Sequence, residues 1–393
     1  MIRVPSRSSR VRPRKLRVTT IVGTRPELIK LSRIIAELDR RTQHTLVHTG
    51  QNFDFELNGI FFRQLEIRRP DHFLRAAEPS AVQTIARVIV RTDEVLAKTK
   101  PDAVLIYGDT NSCLAAIAAK RRRIPVFHLE AGNRCFDERV PEEINRRIID
   151  HISDINMPLT EQARHYLLAE GLRPETVIKV GSTMREVLEY YRSGIDRSDV
   201  LKRMDLSPKR YFVVSAHREE NVDDESRLTR LMNGLDVLAR QYDRRIVMST
   251  HPRTRRRLAQ LARTGGKRKG SRVEFLKPFG FFEWITLQRH AACVLSDSGT
   301  LTEEAALLGF PAVMIRDAHE RPEGMDAGVA ILSGLSGERV VQSVELALAQ
   351  GPPAGGHSNV PDYADTNVSR KVVRIILSYV DYVQRTTWFR HVE

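Results

Sequence analysis

Leu16-Arg17-Val18-Thr19-Thr20-Ile21-Val22-Gly23-Thr24-Arg25-Pro26-Glu27-Leu28-Ile29-Lys30 decides the fold class of this 393-residue chain. Its first seven residues are short, apolar and β-branched, which suits a buried strand. Gly23 stops the strand. Pro26 opens a helix, where its missing N–H is not needed. Leu28, Ile29, Leu31, Ile34, Ile35 and Leu38 then recur at helical spacing. The same alternation continues outward. Strands are predicted at His44–Thr49, Ala103–Tyr107 and Pro125–Leu129, with helices at Ala81–Lys98 and Ser112–Arg122. It then restarts. Strands are predicted at Tyr211–Ser215, Arg245–Ser249, Val273–Leu276, Cys293–Ser296 and Ala312–Ile315. Helices at Arg227–Tyr242, Arg253–Leu261, Glu283–His290 and Leu301–Leu308 connect them. Strands alternating with helices give parallel sheets covered on both faces. The expected fold class is α/β, with two Rossmann-like doubly wound domains facing a central cleft. They are expected at residues 16–189 and 190–367, with Tyr190–Pro208 as the linker. Gly351–Gly356 reads as a flexible loop. The amphipathic segment Val368–Gln384 reads as a final helix, and residues 368–388 are expected to pack back on the first domain.

Composition narrows the classes. The chain has 63 Lys+Arg against 49 Asp+Glu, a net charge of +14, and 41% hydrophobic residues. That hydrophobic share excludes a mainly disordered chain. Residues 1–15 carry six cations and no acid, and read as a disordered basic tail without a secretory apolar core. Arg253 to Arg272 is a second basic block, read as the solvated end of a helix and its loop. No aromatic residues interleave there as a stacking platform for nucleic acid needs, so no nucleic-acid partner is expected. No run approaches the roughly 20 apolar residues of a membrane span. Cys113, Cys135 and Cys293 form no zinc-like spacing and fit a reducing cytoplasm. No His signature accompanies Cys135 to make it a nucleophile.

Open α/β sheets bind ligands beyond the carboxyl ends of their strands. The chemistry is therefore sought there. Gly23 to Lys30 offers a helix start to an anion, with Arg25 and Lys30 adding positive charge. It is not a GxGxxG fingerprint, so no nicotinamide or flavin cofactor is expected. Asp109, in Tyr107-Gly108-Asp109-Thr110-Asn111, and Glu130, in His128-Leu129-Glu130-Ala131-Gly132, stand at two further strand ends. Glu142 follows in Pro141-Glu142-Glu143-Ile144-Asn145-Arg146. Each acid also has a plainer reading as a helix cap or first-turn acid. Carboxylates whose surroundings separate their pKa values provide an acid and a base in one site. The second domain offers His217 beside Arg218. It also offers Ser298-Gly299-Thr300 at a helix start, a phosphate cradle. Glu304 lies one turn later, in reach of a ribose, and Arg321 sits in the loop Arg316–Met325.

In this order the motifs resemble the non-hydrolysing UDP-N-acetylglucosamine 2-epimerase family, over about Leu16 to Gly334. The resemblance implies a GT-B type fold, a UDP-sugar substrate, no cofactor and no metal, a homodimer, and a cytoplasmic isomerase serving glycoconjugate biosynthesis. Residue by residue, it implies that Asp109, Glu130 and Glu142 are catalytic carboxylates. Arg25 and Lys30 match the first-loop cations, and His217 the histidine near the leaving diphosphate. Ser298, Gly299 and Glu304 match the UDP-binding residues. The implied reaction eliminates UDP to a 2-acetamidoglycal and adds it back with C2 inverted. A GT-B glycosyltransferase, a hydrolysing epimerase and a non-catalytic nucleotide-sugar sensor are the alternatives.

Two stretches depart from the family pattern. His217-Arg218-Glu219-Glu220 stands where His-Arg-Arg-Glu is usual. Gly50-Gln51-Asn52-Phe53-Asp54 lacks the usual His and Arg of an effector site, so simple saturation kinetics are expected. Asn133–Val140 is also short. It resembles the branch acting on 6-deoxy or diacetamido UDP-sugars, so a modified sugar is expected to be the better substrate. Arg134 and Arg139 either hold an acidic sugar or pair with Asp137 and Glu138, and pairing is the favoured expectation.

Overall fold

The computed structural model describes residues 14–51, 55–250, 252–264, 272–351 and 360–390. Two six-stranded sheets form its frame. The first contains β1 (Arg17–Val22), β2 (Gln43–His48), β3 (His72–Phe73), β4 (Ala103–Tyr107), β5 (Val126–Leu129) and β6 (Ile155–Met157). Its order is β3-β2-β1-β4-β5-β6, and every pairing is parallel. The second contains β7 (Tyr211–Ser215), β8 (Arg245–Ser249), β9 (Val273–Leu276), β10 (Cys293–Ser296), β11 (Ala312–Met314) and β12 (Ile331–Leu332). Its order, β12-β11-β10-β7-β8-β9, repeats the plan, again all parallel. Helices cover both faces, which is why strands such as β4 are apolar and buried at every position.

Strand order reverses between β1 and β4 in the first sheet and between β7 and β10 in the second. Those two switch points are where doubly wound sheets open a crevice. The loops and helix starts after these four strands carry Arg25, Lys30, Asp109, His217 and Ser298 to Thr300, while Glu130 and Glu142 follow β5 and Arg321 follows β11.

The expected boundaries hold within a few residues, with three differences. β3, β6 and β12 were not foreseen, because strands of two or three residues carry no periodic signal. The Ser112–Arg122 helix begins instead as a 3-10 turn, Asn111–Ala115, before the α-helix Ala116–Arg121. The Thr110 hydroxyl accepts the Ser112 N–H and tightens that start. The Tyr190–Pro208 stretch is no loose tether. It forms short helices at Arg192–Asp196 and Val200–Arg203, and buries Tyr191, Ile195, Val200 and Leu206 in a core shared by both halves. The Tyr191 hydroxyl donates to Leu65 O in the first half, and Thr286 of the second donates to Ile195 O at 3.0 Å. The last helix, Val368–Thr386, lies on the helix Arg25–Arg41, and Glu186 accepts the Ser369 N–H at 2.8 Å. The Gly351–Gly356 loop, the tail before Arg14 and much of the basic block after Thr264 lie outside the described residues.

Candidate active site

At the first switch point the backbone is crowded. A Cβ on Gly23 would overlap the Ser112 and Thr49 hydroxyls, so only glycine fits between β1 and the turn after β4. Glu27 enters this gap from the first turn of the helix Arg25–Arg41. It accepts the Gly23 N–H at 2.6 Å and the Thr110 hydroxyl at 2.5 Å. It is buried, and that burial pushes its carboxyl up to about 7. Lys30, one turn on, is also buried. Arg25 lies 5.8 Å from the Phe61 ring centroid.

Asp109 leaves the same switch point through the loop after β4. Arg146 donates to its Oδ2 from Nε at 3.0 Å and from Nη2 at 2.5 Å. Asn145 donates to the Asp109 carbonyl at 2.9 Å. Arg146 and Asn145 are presented by the helix Pro141–Ile152, which Pro141 opens. Glu142, in that helix's first turn, keeps a 39% exposed side chain. Its carboxyl is raised by burial, against the opposing pull of Arg218. Glu130 leaves β5 with φ at +66°, a left-handed conformation that non-glycine residues seldom adopt and that marks functional turns. Tyr107 of the neighbouring strand donates its hydroxyl to Glu130 Oε2.

In the second half, Asp297 follows β10 and is fully buried. It accepts His217 Nδ1 at 3.0 Å, the His217 and Arg218 N–H groups at 2.9 and 3.0 Å, and Asn221 Nδ2 at 3.1 Å. Burial opposes its charge, but His217 and these donors hold it at about 2. Tying down Nδ1 fixes the ring and leaves Nε2 as the free edge of a 43% exposed histidine. Ser298, Gly299 and Thr300 open the helix Thr300–Leu308. Gly299 is obligatory there, since a Cβ would press on Glu320. Glu320 is buried between Arg218 and Arg316, at 2.9 and 2.7 Å, and held well below the usual carboxylate range.

Four charges join the halves in a closed ring. Lys30 Nζ meets Glu130 Oε2 and Glu303 Oε2, each at 2.7 Å. Arg321 Nη2 meets the same two carboxylates at 3.0 and 3.1 Å. The side chains of Lys30, Glu303 and Arg321 are at most 3% exposed, and Glu130 is 12% exposed. Burial works against the Glu130 charge, yet Lys30 and Arg321 draw its carboxyl down to about 2. A second cross-link is the 3.9 Å approach of Arg218 Nη1 to Glu142 Oε2. The acids of one half are thus set against the cations and helix start of the other. Such a cleft can move a proton while holding a polyanion.

The structure gathers Lys30, Asp109, Glu130, Glu142, His217, Ser298, Gly299, Thr300 and Arg321 around these loops. Glu304 differs from expectation in its surroundings. It is only 7% exposed, accepts Gln288 Nε2 at 2.6 Å, and is raised to about 7 by burial. Arg139 pairs with Asp137 at 2.8 Å, as favoured. Arg134 does not use Asp137 or Glu138. It is buried between Asp150 and Glu170 at 2.7 and 2.6 Å, because the chain returns from Gly132 directly over the helix Pro141–Ile152. Burial raises the Cys135 thiol to about 11, which disfavours the thiolate a nucleophile needs. The Glu219 side chain and Asn52 to Asp54 lie outside the described residues. Sequence reasoning did not single out Glu27, Arg146, Asp297, Glu303 or Glu320. The signal was faint but present: each is a charged residue one to five positions from a motif residue. Among the described residues, no group of three His, Cys, Asp or Glu side chains is placed to hold a metal ion. Among the same described residues, no helix is long and apolar enough to cross a membrane.

Known proteins share this plan. The family model described as UDP-N-acetylglucosamine 2-epimerase matches residues 36–377. A UDP-N-acetylglucosamine 2-epimerase of Methanocaldococcus jannaschii is 34% identical over 85% of this chain and 92% of its own. A UDP-2,3-diacetamido-2,3-dideoxy-D-glucuronate 2-epimerase of Pseudomonas aeruginosa is 35% identical over 85% of this chain and 93% of its own. Among solved structures, a UDP-N-acetylglucosamine 2-epimerase from Rickettsia bellii is 54% identical, with a TM-score of 0.89, covering 96% of this chain and 100% of that one.

Proposed function

We propose, for a chain that belongs to the UDP-N-acetylglucosamine 2-epimerase family, that this isomerase inverts C2 of a UDP-2-acetamido sugar without metal or nicotinamide. The observation that carries the reading is three carboxylates of the first half at one cleft: Glu130 and Glu142 face Arg321 and Arg218 of the other half, and Asp109 is held by Arg146 of its own half. The C2–H of such a sugar is barely acidic. As the C1–O bond to UDP lengthens, positive character at C1 acidifies C2–H, and a carboxylate takes the proton. The C1–O bond breaks, C1=C2 forms, and the cleft holds UDP and a 2-acetamidoglycal. A proton then adds to the other face of C2 while the UDP oxygen re-forms its bond to C1. Atoms and charge balance without a redox partner.

In this reading Asp109, Glu130 and Glu142 handle protons. Arg25, Lys30, His217 and Arg321 meet the diphosphate, with Ser298 to Thr300 supplying a helix start. Glu304 reaches the ribose once its Gln288 partner yields. Residues 16–189 form the half that carries the acids, 190–367 the UDP-binding half, and 368–388 return to the first. Arg134 is committed to Asp150 and Glu170 in the interior, whereas the pair of Arg139 with Asp137 lies at the surface, with the arginine side chain 75% exposed. Exposed Val82, Val90, Ile144 and Ile148 on first-half helices support a homodimer built there, to be checked by light scattering at micromolar concentration. Unpaired Cys113, Cys135 and Cys293 fit a cytoplasmic enzyme.

The test is incubation with UDP-N-acetylglucosamine, followed by chromatography of nucleotides. A stable mixture of the sugar nucleotide and its C2 epimer is expected, with little free UDP. Stoichiometric release of UDP would point to a hydrolysing enzyme, and transfer to an added acceptor would point to a glycosyltransferase.

A further inference from the structure

Resting on the epimerase reading, we propose that Glu303 is a positioning residue that makes proton transfer at Glu130 depend on contact between the two halves. Glu303 has no exposed side-chain surface, so it acts through its neighbours rather than on substrate. It sits on the helix Thr300–Leu308, whose start is the Ser298–Thr300 turn. Ser182, from the segment just before the helix Met184–Tyr190, donates its hydroxyl to Glu303 Oε1 and aims the carboxylate. The other oxygen takes Lys30 and Arg321 at 2.7 and 3.1 Å.

The ring alternates in charge and takes one acid and one cation from each half. Lys30 and Glu130 come from the first half, Glu303 and Arg321 from the second. Each cation is shared between one acid of each half. Glu303 therefore competes with Glu130 for the same two cations. Remove its charge and Lys30 bears on Glu130 alone, while Arg321 bears on Glu130 and, at 3.8 Å, on Glu323, so more of the positive charge falls on Glu130. Glu130 then becomes a weaker proton acceptor, and Lys30 loses its bond to the second half. The paired acid also gives both cations a place to rest when no diphosphate is present. A buried ionic cluster is a poor source of stability on its own, since desolvation offsets much of its attraction. Its retention at this point of the cleft is better explained by what it does to Glu130.

The experiment compares the wild-type enzyme with Glu303→Gln, Glu303→Asp and Ser182→Ala, using UDP-N-acetylglucosamine and its C2-deuterated form. For Glu303→Gln, kcat is expected to fall at least about tenfold with KM within about threefold. The deuterium isotope effect on kcat is expected to rise, because C2–H cleavage becomes more fully rate-limiting. Glu303→Asp, which keeps the charge, is expected to recover part of the rate. Ser182→Ala removes the hydroxyl bond to Glu303 and the acceptor of the Met184 N–H, so it is expected to lose about two- to fivefold in kcat with a small drop in melting temperature. A folded Glu303→Gln enzyme with unchanged kcat, or with reduced kcat and an unchanged isotope effect, overturns the proposal. If Glu303→Gln does not fold, Ser182→Ala decides, and an unchanged kcat overturns it. A wild-type enzyme that leaves C2 untouched overturns the epimerase reading itself, and with it this one.

Discussion

Glu27→Gln is the substitution whose consequence can be worked most fully from the geometry. Glu27 is buried at the first switch point, and its partners Gly23 N–H and Thr110 O–H are neutral donors. Burial outweighs them, so its carboxyl stands near 7 instead of 4.5. At about 1.4 kcal/mol per pH unit, that difference is worth about 3 kcal/mol. The sign follows from a folded value above the unfolded one. The stabilisation is fully present below pH 4.5 and is lost as pH rises through about 7. Glutamine has the same shape and does not titrate. Its carbonyl accepts the Gly23 N–H, and its amide turns to the Thr110 oxygen, which can accept. The variant is therefore expected to gain on the wild type as pH rises from 4.5 to 8, by about 3 kcal/mol. Urea unfolding of both proteins at half-unit pH steps, taken as a difference, removes the titration of all other groups. A difference that stays flat over this range, or one that falls, would refute the argument that Glu27 is a buried acid lacking a compensating charge.

Other expected outcomes follow from the same loops. Asp297→Asn removes the charge that fixes His217, so kcat should fall about 10- to 100-fold with KM changed far less, read by steady-state kinetics. The same variant should lose the share of the wild type's acid sensitivity between pH 4 and 2 that Asp297 contributes. Asp297 is held at about 2 rather than 3.8, and its stabilisation disappears as pH falls through the lower value. Glu142→Gln should lower kcat by about 10²- to 10⁴-fold with melting temperature little changed, since the partly exposed Glu142 handles protons and its approach to Arg218 is long, at 3.9 Å. A modified UDP-2-acetamido sugar should be turned over with a higher kcat/KM than UDP-N-acetylglucosamine, with hyperbolic saturation. Sigmoidal kinetics with a clear preference for UDP-N-acetylglucosamine would overturn this expectation.

The first switch point was legible because the chemistry sits next to strong local signals. Leu16 to Lys30 announces a buried strand, a glycine stop and a proline-opened helix, and Asp109 and Glu130 each follow an apolar strand directly. What stayed hidden depends on distance in sequence. Glu303 reads as an ordinary first-turn acid until Lys30, 273 residues away, is brought to its carboxylate. Asp297 reads as a helix cap until β7 and β10 lie side by side and place His217 over it. The Tyr190–Pro208 segment reads as a tether because its apolar residues are too sparse for a periodic pattern, although they lock into both halves. Arg134 was read with the acids nearest in sequence, whereas its partners, Asp150 and Glu170, come from later helical segments.

The central claim is that a carboxylate of this cleft takes the C2 proton and that a proton returns to the opposite face. Incubation of the enzyme with UDP-N-acetylglucosamine in deuterated water, followed by proton NMR, tests it most directly. The account predicts loss of the C2–H signal from product and then from substrate, together with the appearance of the C2 epimer, and neither change for Glu130→Gln. A C2 epimer that forms while keeping its original hydrogen, or a substrate returned unchanged with its C2–H intact, would contradict it.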